Sequence, residues 1–362
     1  MIVFFDRIGY ALIKKGSLTM TDMRAIGFTQ NLPIADEKSF IEFFEPKPTP
    51  TGHDILVKVI ATSVNPVDTG VRRGTVQTLS TPKVIGWDAY GVVDTVGEAV
   101  TLFHPGDRVF YAGSFKRPGT DSEYHLVDER LVGHAPTRLT AAEIAAVPLT
   151  SLTAWEALFE QMHLSFDAPA ANAGKILLVI NGAGGVGSMA TQLAHLAGLT
   201  VIATASRPET IAWTKDHGAD AVVNHRQDLV PQVQALGYPT VDYILELSNL
   251  NQHWAEIVSL IAPSGTVVSV TGSDTPIDLR ALKQKRATFA WEWMYTKSFF
   301  ETPDMITQHD ILERVRGLLD TGKLKSTLTK TFTPINPANL RAAHALVETN
   351  RMIGKVVLTN EK

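Results

Sequence analysis

Short apolar runs separated by proline and glycine fill the chain from about residue 23 to residue 148. The runs lie at residues 55–61, 91–96, 108–111 and 124–127. Prolines such as Pro46 and Pro82, and the stretch 104–107, mark turns between them. This pattern predicts a β-rich barrel or sandwich for the first part of the chain.

From about residue 172 to residue 295, apolar runs alternate with helical patterns. The predicted strands are residues 175–181, 200–205, 221–224, 241–247, 266–270 and 288–293. Between the first two, apolar or small side chains follow helical spacing at Val186, Met189, Ala190, Leu193, Ala194 and Ala197. Such alternation predicts an α/β fold with a parallel sheet wrapped by helices. Two further helices, near residues 308–321 and 337–350, each precede a short strand.

Composition narrows the class of protein. A length of 362 residues favours two domains. Hydrophobic residues make up 44% and charged residues 19%, without an apolar run long enough to cross a membrane, so we expect a soluble globular protein. The net charge of −4 comes without a basic stripe, which favours a small-molecule partner over nucleic acid or a membrane. The absence of cysteine removes thiol nucleophiles, disulfides and thiolate zinc sites.

Residues 1–22 form a doubtful leader. Asp6 and Arg7 interrupt the apolar run 2–5 before the hydrophobic region of a signal peptide can form, so we expect a cytoplasmic protein. A strand of ordinary character begins at Met23. We therefore hypothesise that translation starts at Met20 or Met23.

A glycine motif follows the first predicted strand of the parallel sheet. It consists of Gly182, Ala183, Gly184, Gly185, Val186 and Gly187. A strand before it and an amphipathic helix after it are the context of a dinucleotide-binding turn. There, Gly182 permits the turn, Gly184 lets a pyrophosphate approach the backbone, and Gly187 lets the helix pack against the strand. The alternative is a flexible glycine-rich loop that binds no ligand.

The end of the second strand of that sheet indicates which dinucleotide binds. An NAD site places an acidic residue about 20 residues beyond the glycines. The segment from Ser188 to Pro208 contains none, whereas Ser206 and Arg207 offer a hydroxyl and a guanidinium to a 2′-phosphate. We therefore predict NADPH as the cofactor. An ordinary solvated charge is the alternative role for Arg207.

Five motifs in order resemble the medium-chain dehydrogenase/reductase superfamily over about residues 23–358. They are Ser-Val-Asn-Pro-Val-Asp (63–68), Gly-Trp-Asp-Ala-Tyr-Gly-Val-Val (86–93), Gly-Asp-Arg-Val (106–109), Pro-Leu-Thr-Ser-Leu-Thr-Ala-Trp (148–155) and the glycine motif. The chain is most similar to the quinone oxidoreductase-like branch, often labelled zinc-type alcohol dehydrogenase-like.

This resemblance implies a β-rich GroES-like catalytic domain plus a doubly wound parallel Rossmann domain. The implied boundaries are 23–148 for the first part of the catalytic domain, 149–300 for the Rossmann domain and 301–362 for the return to the catalytic domain. The resemblance also implies a homodimer, formed through edge strands of the nucleotide domains.

The resemblance further suggests that this chain lacks zinc. Asn65, Trp87 and Leu149 stand where zinc-dependent relatives have their catalytic zinc ligands, and none of the three suits zinc. The stretch 111–123, where a structural zinc lobe would lie, contains no cysteine. His225 stands where relatives place an aromatic residue against the cofactor, and an ordinary loop histidine is the alternative.

Without a Lewis acid, simple alcohols are poor substrates, because nothing stabilises the alkoxide. We therefore expect NADPH to deliver hydride to a quinone or an α,β-unsaturated carbonyl, which spreads the incoming charge itself. The resemblance places Thr153 near the nicotinamide. Asn65 is a candidate donor to the acceptor or to the nicotinamide ribose. Trp87 is a candidate wall of the substrate cleft.

Tyr90 and Tyr111 are candidate proton donors or stacking groups in that cleft. Packing in the protein core is the alternative for both. At the level of the whole protein, the alternative function is that of a nicotinamide-dinucleotide-binding protein with a redox-responsive or structural role and little turnover.

Overall fold

The structure, a computed structural model, describes residues 22–74 and 78–361. The hypothesis of a leader at residues 1–22 falls almost wholly outside the described residues. Within the described part, no helix is long and apolar enough to span a membrane.

The first part of the chain is rich in strands, as its apolar runs predict. The strands are β1 (Asp22–Gln30), β2 (Ile41–Pro46), β3 (Asp54–Val64), β4 (Thr78–Val84), β5 (Ala89–Val96), β6 (Arg108–Tyr111), β7 (Tyr124–Asp128) and β8 (Val132–His134). The helices are α1 (Pro66–Arg73), α2 (Ala141–Ala145) and α3 (Pro148–Trp155). Proline occupies the first turn of both α1 and α3, where no backbone N–H is needed.

The middle of the chain forms the predicted parallel sheet. Its strands are β9 (Ile176–Ile180), β10 (Thr200–Thr204), β11 (Ala221–Val223), β12 (Val241–Glu246), β13 (Ile261–Ser269) and β14 (Thr288–Trp291). Its helices are α4 (Gly185–Leu196), α5 (Pro208–Asp216), α6 (Leu229–Ala235), α7 (Leu250–Leu260) and α8 (Thr296–Phe300). The strand order β11-β10-β9-β12-β13-β14 is that of a doubly wound dinucleotide-binding sheet.

The last part of the chain consists of α9 (Thr307–Asp320), β15 (Leu328–Phe332), α10 (Pro337–Glu348) and β16 (Lys355–Thr359). Strand β16 pairs with β3, so the C-terminal segment joins the seven-stranded sheet of the first part. Short 3₁₀ turns lie at Glu37–Ser39, Glu129–Leu131, Pro169–Asn172 and Leu279–Lys285, and a π-helical segment, Glu156–Gln161, extends α3.

Strand β9 shows why the strands of the parallel sheet are continuous apolar runs in the sequence. Leu177 and Val179 face the large core shared with α3, α4 and the first part of the chain, whereas Leu178 and Ile180 face a second core on the other side of the sheet. A strand buried on both faces has no polar positions to alternate with. The predicted fold class, a β-rich domain with a doubly wound parallel sheet, is confirmed.

The prediction of a turn at Pro82 is wrong. Pro82 lies inside β4 rather than between strands. The small sheet has the order β2-β1-β4, so β4 is an edge strand. An edge strand tolerates proline, because its outer N–H groups need no partner within the sheet.

Candidate active site

The glycine motif forms a tight turn at the carboxyl end of β9. Asn181 adopts a left-handed conformation with φ +72°, and the Gly182 N–H donates to the Thr204 carbonyl at 3.0 Å. A Cβ on Gly182 would lie 2.7 Å from the Cβ of Ala203, and one on Gly187 would lie 2.2 Å from the Asn181 carbonyl oxygen. Both positions therefore require glycine for close packing.

Gly184 and Gly185 begin α4 and meet the C-terminal segment. Gly184 is the N-cap of α4, so the free N–H groups of the first turn point out of the motif, where they suit an anion. The Gly354 N–H donates to the Ala183 carbonyl at 2.9 Å, and a Cβ on Gly185 would lie 2.9 Å from Cδ of Lys355. The C-terminal segment is thus fastened to the dinucleotide turn.

The position of this turn in the sheet matches that of a ligand crevice. Strands β9 and β12 are neighbours, and the chain leaves them toward opposite sides of the sheet. The Asn181 side chain donates to the Leu247 carbonyl just beyond β12, at 3.4 Å. In open α/β sheets, ligands bind at such a switch point, outside the carboxyl ends of the strands.

Arg207, at the N-cap of α5, already has partners. Its Nη2 donates to the Arg351 carbonyl at 3.0 Å, and its Nε lies 2.6 Å from Oε1 of Glu209. The pKa of Glu209 is lowered, first by its own backbone N–H and also by Arg207. A 2′-phosphate would therefore compete with Glu209 for the guanidinium.

His225 lies beside the glycine turn. Its Nδ1 is 3.1 Å from Oγ1 of Thr204, which also accepts the Asn181 N–H at 2.8 Å. Burial lowers the pKa of His225, so the ring is neutral at physiological pH. Its contact with the cofactor stays a prediction.

On the other side of the crevice, polar groups converge on the fully buried carboxylate of Asp88. We call this set the Asp88 cluster. Its members are Ser63, Asn65, Asp88, Leu149 and Lys355. The carboxylate accepts from Ser63 Oγ at 2.7 Å, Asn65 Nδ2 at 2.8 Å, the Leu149 N–H at 2.7 Å and Lys355 Nζ at 2.9 Å. With four donors, including an ammonium, Asp88 is ionised despite its burial.

Lys355 binds this cluster from strand β16. The side chain is 4% exposed, and Nζ also donates to Oδ1 of Asn65 and to the Val64 carbonyl. Both ends of the Asn65 amide are therefore engaged, and one of its two Nδ2 hydrogens is used by Asp88. The other Nδ2 hydrogen is the one that Asn65 would donate to an oxygen of a bound ligand.

The donor chemistry of this cluster does not fit zinc. Asn65 and Leu149 both contact Asp88, but Leu149 does so through a backbone N–H, and Nε1 of Trp87 donates to the Ser114 carbonyl at 3.2 Å. The Lys355 ammonium already supplies a positive charge to the carboxylate. Within residues 22–74 and 78–361, no group of three or more His, Asp or Glu side chains is arranged to hold a metal ion.

Four aromatic side chains stand next to the cluster. We call them the aromatic wall: Trp87, Phe115, Trp293 and Tyr295. The rings of Trp87 and Phe115 stack at 4.9 Å, and the Tyr295 ring lies 6.0 Å from Trp87 and 5.3 Å from Phe115. Asp88 lies close enough to Tyr295 to influence the pKa of its hydroxyl, so the wall adjoins the buried carboxylate. Trp293 is 38% exposed and connects the wall with solvent.

The other predicted site residues use their hydroxyl groups elsewhere. The Tyr90 hydroxyl accepts from Nε of Arg108 at 2.7 Å. The Tyr111 hydroxyl lies 3.1 Å from Nδ1 of His125, and burial raises its pKa. Oγ1 of Thr153 donates to the Leu149 carbonyl at 2.8 Å. The structure brings Asn65 and Leu149 together on Asp88 and places Trp87 in the aromatic wall, and it does not join either tyrosine hydroxyl to the Asp88 cluster.

The sequence analysis missed Asp68, Asp88, Tyr295 and Lys355. Asp68 and Asp88 stand inside two of the motifs that carry the family resemblance, so a search for acidic residues in those motifs would have found them. Tyr295 belongs to an aromatic-rich tract, residues 291–295. No local signal marks Lys355.

Comparisons with known proteins identify the family of the chain. A family model described as "Alcohol dehydrogenase GroES-like domain" matches residues 51–155, and one described as "Zinc-binding dehydrogenase" matches residues 185–308. A solved structure from Rhizobium etli CFN 42, described as a putative zinc-dependent alcohol dehydrogenase, is 48% identical, with a TM-score of 0.89 over 94% of this chain and 99% of that one.

Two curated relatives extend the comparison. A zinc-type alcohol dehydrogenase-like protein of Staphylococcus aureus is 44% identical over 93% of this chain and 99% of its own length. A quinone oxidoreductase of Lama guanicoe is 34% identical over 64% of this chain and 68% of its own length. The chain therefore belongs to the medium-chain dehydrogenase/reductase superfamily and is an oxidoreductase with a GroES-like domain and a nicotinamide-dinucleotide-binding fold.

Proposed function

We propose that the protein is an NADPH-dependent, zinc-independent reductase that transfers hydride to a quinone or an α,β-unsaturated carbonyl. The observation that carries this proposal is the Asp88 cluster. Asn65 and Leu149 contact a carboxylate that is already neutralised by Lys355, and the indole of Trp87 has its N–H on the Ser114 carbonyl. That donor set cannot act as a Lewis acid toward an alkoxide, so the favoured acceptors are those that delocalise charge themselves.

The residues of the nucleotide domain fit the cofactor. The backbone of the turn 182–187 and the first turn of α4 would hold the pyrophosphate. Ser206 and Arg207 would hold the 2′-phosphate, and His225 would lie beside the turn. When bound, the nicotinamide supplies the hydride, and the protein holds it against the acceptor.

The aromatic wall suits a flat, conjugated acceptor. The stacked pair Trp87 and Phe115 shows that this part of the cleft packs planar groups face to face. Small-molecule sites typically combine such apolar walls with a few polar groups, which the adjoining Asp88 cluster supplies here. A quinone ring or an enone would contact both the aromatic wall and the Asp88 cluster.

We further propose a homodimer, formed through β14. This strand is at one end of the parallel sheet, and Trp291 on it is 50% exposed. An edge strand with an exposed large apolar side chain is suited to pairing with another strand. Sedimentation of the wild type and of a Trp291→Lys variant tests this assembly, and a monomeric wild type would contradict it.

Steady-state oxidation of NADPH and NADH against a panel of quinones, enones and simple alcohols tests the proposed reaction. We expect turnover with NADPH and at least one conjugated acceptor, weaker turnover with NADH, and negligible ethanol oxidation. Robust alcohol oxidation without activity on any conjugated acceptor would contradict the proposal. Tight NADPH binding without turnover would favour the alternative of a nucleotide-binding protein.

A further inference from the structure

Two buried polar groups beside the Asp88 cluster have no hydrogen-bond partner among the described residues. They are Oδ1 of Asp68 and the hydroxyl of Tyr295. Asp68 is 1% exposed and Tyr295 is 3% exposed, so water does not solvate either group freely. Because buried polar groups are nearly always paired, two such groups beside the same cluster are suited to bind a polar atom of a ligand.

The balance of buried charges indicates whether the carboxyl group of Asp68 is protonated or ionised. Three buried carboxyls interact with one another, those of Asp68, Asp88 and Asp121, and one ammonium, that of Lys355, contacts Asp88. Asp88 has four donors and keeps the negative charge. Oδ2 of Asp68 accepts a single N–H, that of Asn65, at 2.6 Å. Burial raises the pKa of Asp68 to about 7, so Asp68 holds a proton below about pH 7, and burial also raises the pKa of Asp121 well above its ordinary value.

Tyr295 presents its hydroxyl to the same region. Its ring packs against Trp87 and Phe115, and burial, together with the nearby carboxyl groups of Asp68 and Asp88, raises the pKa of its hydroxyl. The phenol therefore stays protonated. Asp68 and Tyr295 are thus two neutral O–H donors without an acceptor, next to an aromatic wall.

We propose that Asp68 and Tyr295 form a two-donor site for the carbonyl oxygen of the acceptor, and that Asp68 gives that oxygen its proton. This inference rests on the proposed function and names the groups that complete its chemistry. Donors aimed at a developing oxyanion in a buried site stabilise it strongly, which supplies what the cluster lacks in Lewis acidity.

The proposed step transfers one hydride and one proton to the acceptor. NADPH would supply the hydride, which forms a C–H bond at the β-carbon of an enone. The electron pair of the C=C bond then forms a double bond between the α-carbon and the carbonyl carbon, and the π pair of the carbonyl moves to its oxygen. The O–H bond of Asp68 breaks and an O–H bond forms on that oxygen, so the acceptor is reduced to an enol and NADPH is oxidised to NADP⁺. The enol becomes the ketone in water. With a quinone the same transfers yield a hydroquinone, and Asp68 regains a proton from solvent.

Every ionisable group facing Asp68 enters its titration. These groups are Lys355 on β16, Asp88 just before β5, Asp121 in the segment before β7, and Tyr295 just before α8. On the opposite side, α10 brings Glu348 and the neutral His344 to Arg72 of α1, and Arg72 pairs with Glu348. Wild-type turnover should decline above about pH 7, as Asp68 loses its proton.

The test compares Asp68→Asn and Tyr295→Phe with the wild type in NADPH-dependent enone reduction. Both substitutions keep the size of the side chain. Asp128→Asn and Tyr238→Phe are matched controls, because Asp128 is a buried aspartate paired with Arg130 and Tyr238 packs at the edge of the second core. Thermal unfolding shows whether each variant folds.

We expect Asp68→Asn to lower kcat about 100-fold, with little change in KM, and to abolish the decline above pH 7. We expect Tyr295→Phe to lower kcat about 100-fold by removing one donor to the oxyanion. The controls should retain wild-type rates. If the wild type turns over and both test variants match the controls, the inference is wrong while the proposed function stands.

Binding of 4-nitrophenol to the NADP⁺ complex, followed by its visible absorption, provides a second measurement. This phenol resembles the reduced acceptor oxygen, so its affinity should fall at least about tenfold in both test variants and remain unchanged in the controls. A wild type without turnover would refute the proposed function. Equal nitrophenol affinity in wild type and test variants would refute the oxygen site independently.

Discussion

The two sides of the crevice are built on different physical principles. On the nucleotide side, the turn 182–187 works by the absence of side chains, which lets backbone N–H groups and the start of α4 approach a ligand. On the catalytic side, the Asp88 cluster works by side chains whose buried charges must balance. The first side depends on shape and is insensitive to protonation. The second depends on charge, so single substitutions there disturb several groups at once.

Removing Lys355 should have the largest effect, because it leaves Asp88 buried without its counter-charge. Lys355→Met should lower the free energy of unfolding by about 3–5 kcal/mol. The double variant Lys355→Met/Asp88→Asn should recover part of that loss. Lys285→Met is the control, since Lys285 donates to three backbone carbonyls and has no carboxylate partner. Urea unfolding measures all four proteins, and equal losses for both lysines would contradict the charge argument.

Adding a side chain to the glycine turn tests the nucleotide side of the crevice, where shape rather than charge decides binding. Gly187→Ala would bring a Cβ to 2.2 Å from a backbone oxygen, so we expect a loss of about 1–3 kcal/mol in stability together with loss of NADPH binding. Gly317→Ala in α9 meets nothing within 4 Å and should be neutral or slightly stabilising. Calorimetric titration with NADPH and thermal unfolding distinguish the two.

The cofactor preference should respond to charge even on the nucleotide side. Arg207→Ala removes charge-assisted hydrogen bonds worth about 1.5–3 kcal/mol, so NADPH should bind about 10- to 100-fold more weakly and NADH should be unaffected. Glu209→Gln should strengthen NADPH binding, because it frees the guanidinium. Calorimetry with both cofactors measures this, and equal affinity of the wild type for the two would show that NADPH was assigned wrongly.

A second buried acidic group should make the stability of the fold depend on pH. Burial, aided by the charge of Glu156, raises the pKa of Glu292 to about 10. The folded protein then holds a proton that the unfolded chain releases above its ordinary pKa of 4.5, so stability should fall as pH rises between these values. Glu292→Gln should flatten part of this slope in melting temperatures measured from about pH 6 to about pH 9. An unchanged slope would mean that Glu292 titrates normally in the folded state.

The two sides also differ in how far the sequence could predict them. The glycine turn is a contiguous segment flanked by β9 and α4, so its residues and their packing roles follow from local pattern. The apolar runs of the parallel sheet were predictable for the same reason, since strands such as β9 are buried on both faces.

The Asp88 cluster could be predicted only in part. Asn65, Trp87 and Leu149 were singled out by their motifs, but the cation that contacts Asn65 and Asp88 comes from Lys355, 290 residues after Asn65. Tyr295 follows the last strand of another domain. Which charges must balance, and which hydroxyls lack a partner, depends on burial that no local pattern encodes.

A zinc-independent reaction is tested most directly by the rate of NADPH-dependent reduction of a quinone or enone by protein dialysed against a chelator, with zinc measured by elemental analysis on the same sample. We expect an unchanged rate at a zinc content far below one ion per chain, because the ion pair of Lys355 and Asp88 leaves no ligand set for the metal. About one zinc per chain before dialysis, with activity lost on its removal and restored by its return, would show that the reaction depends on zinc.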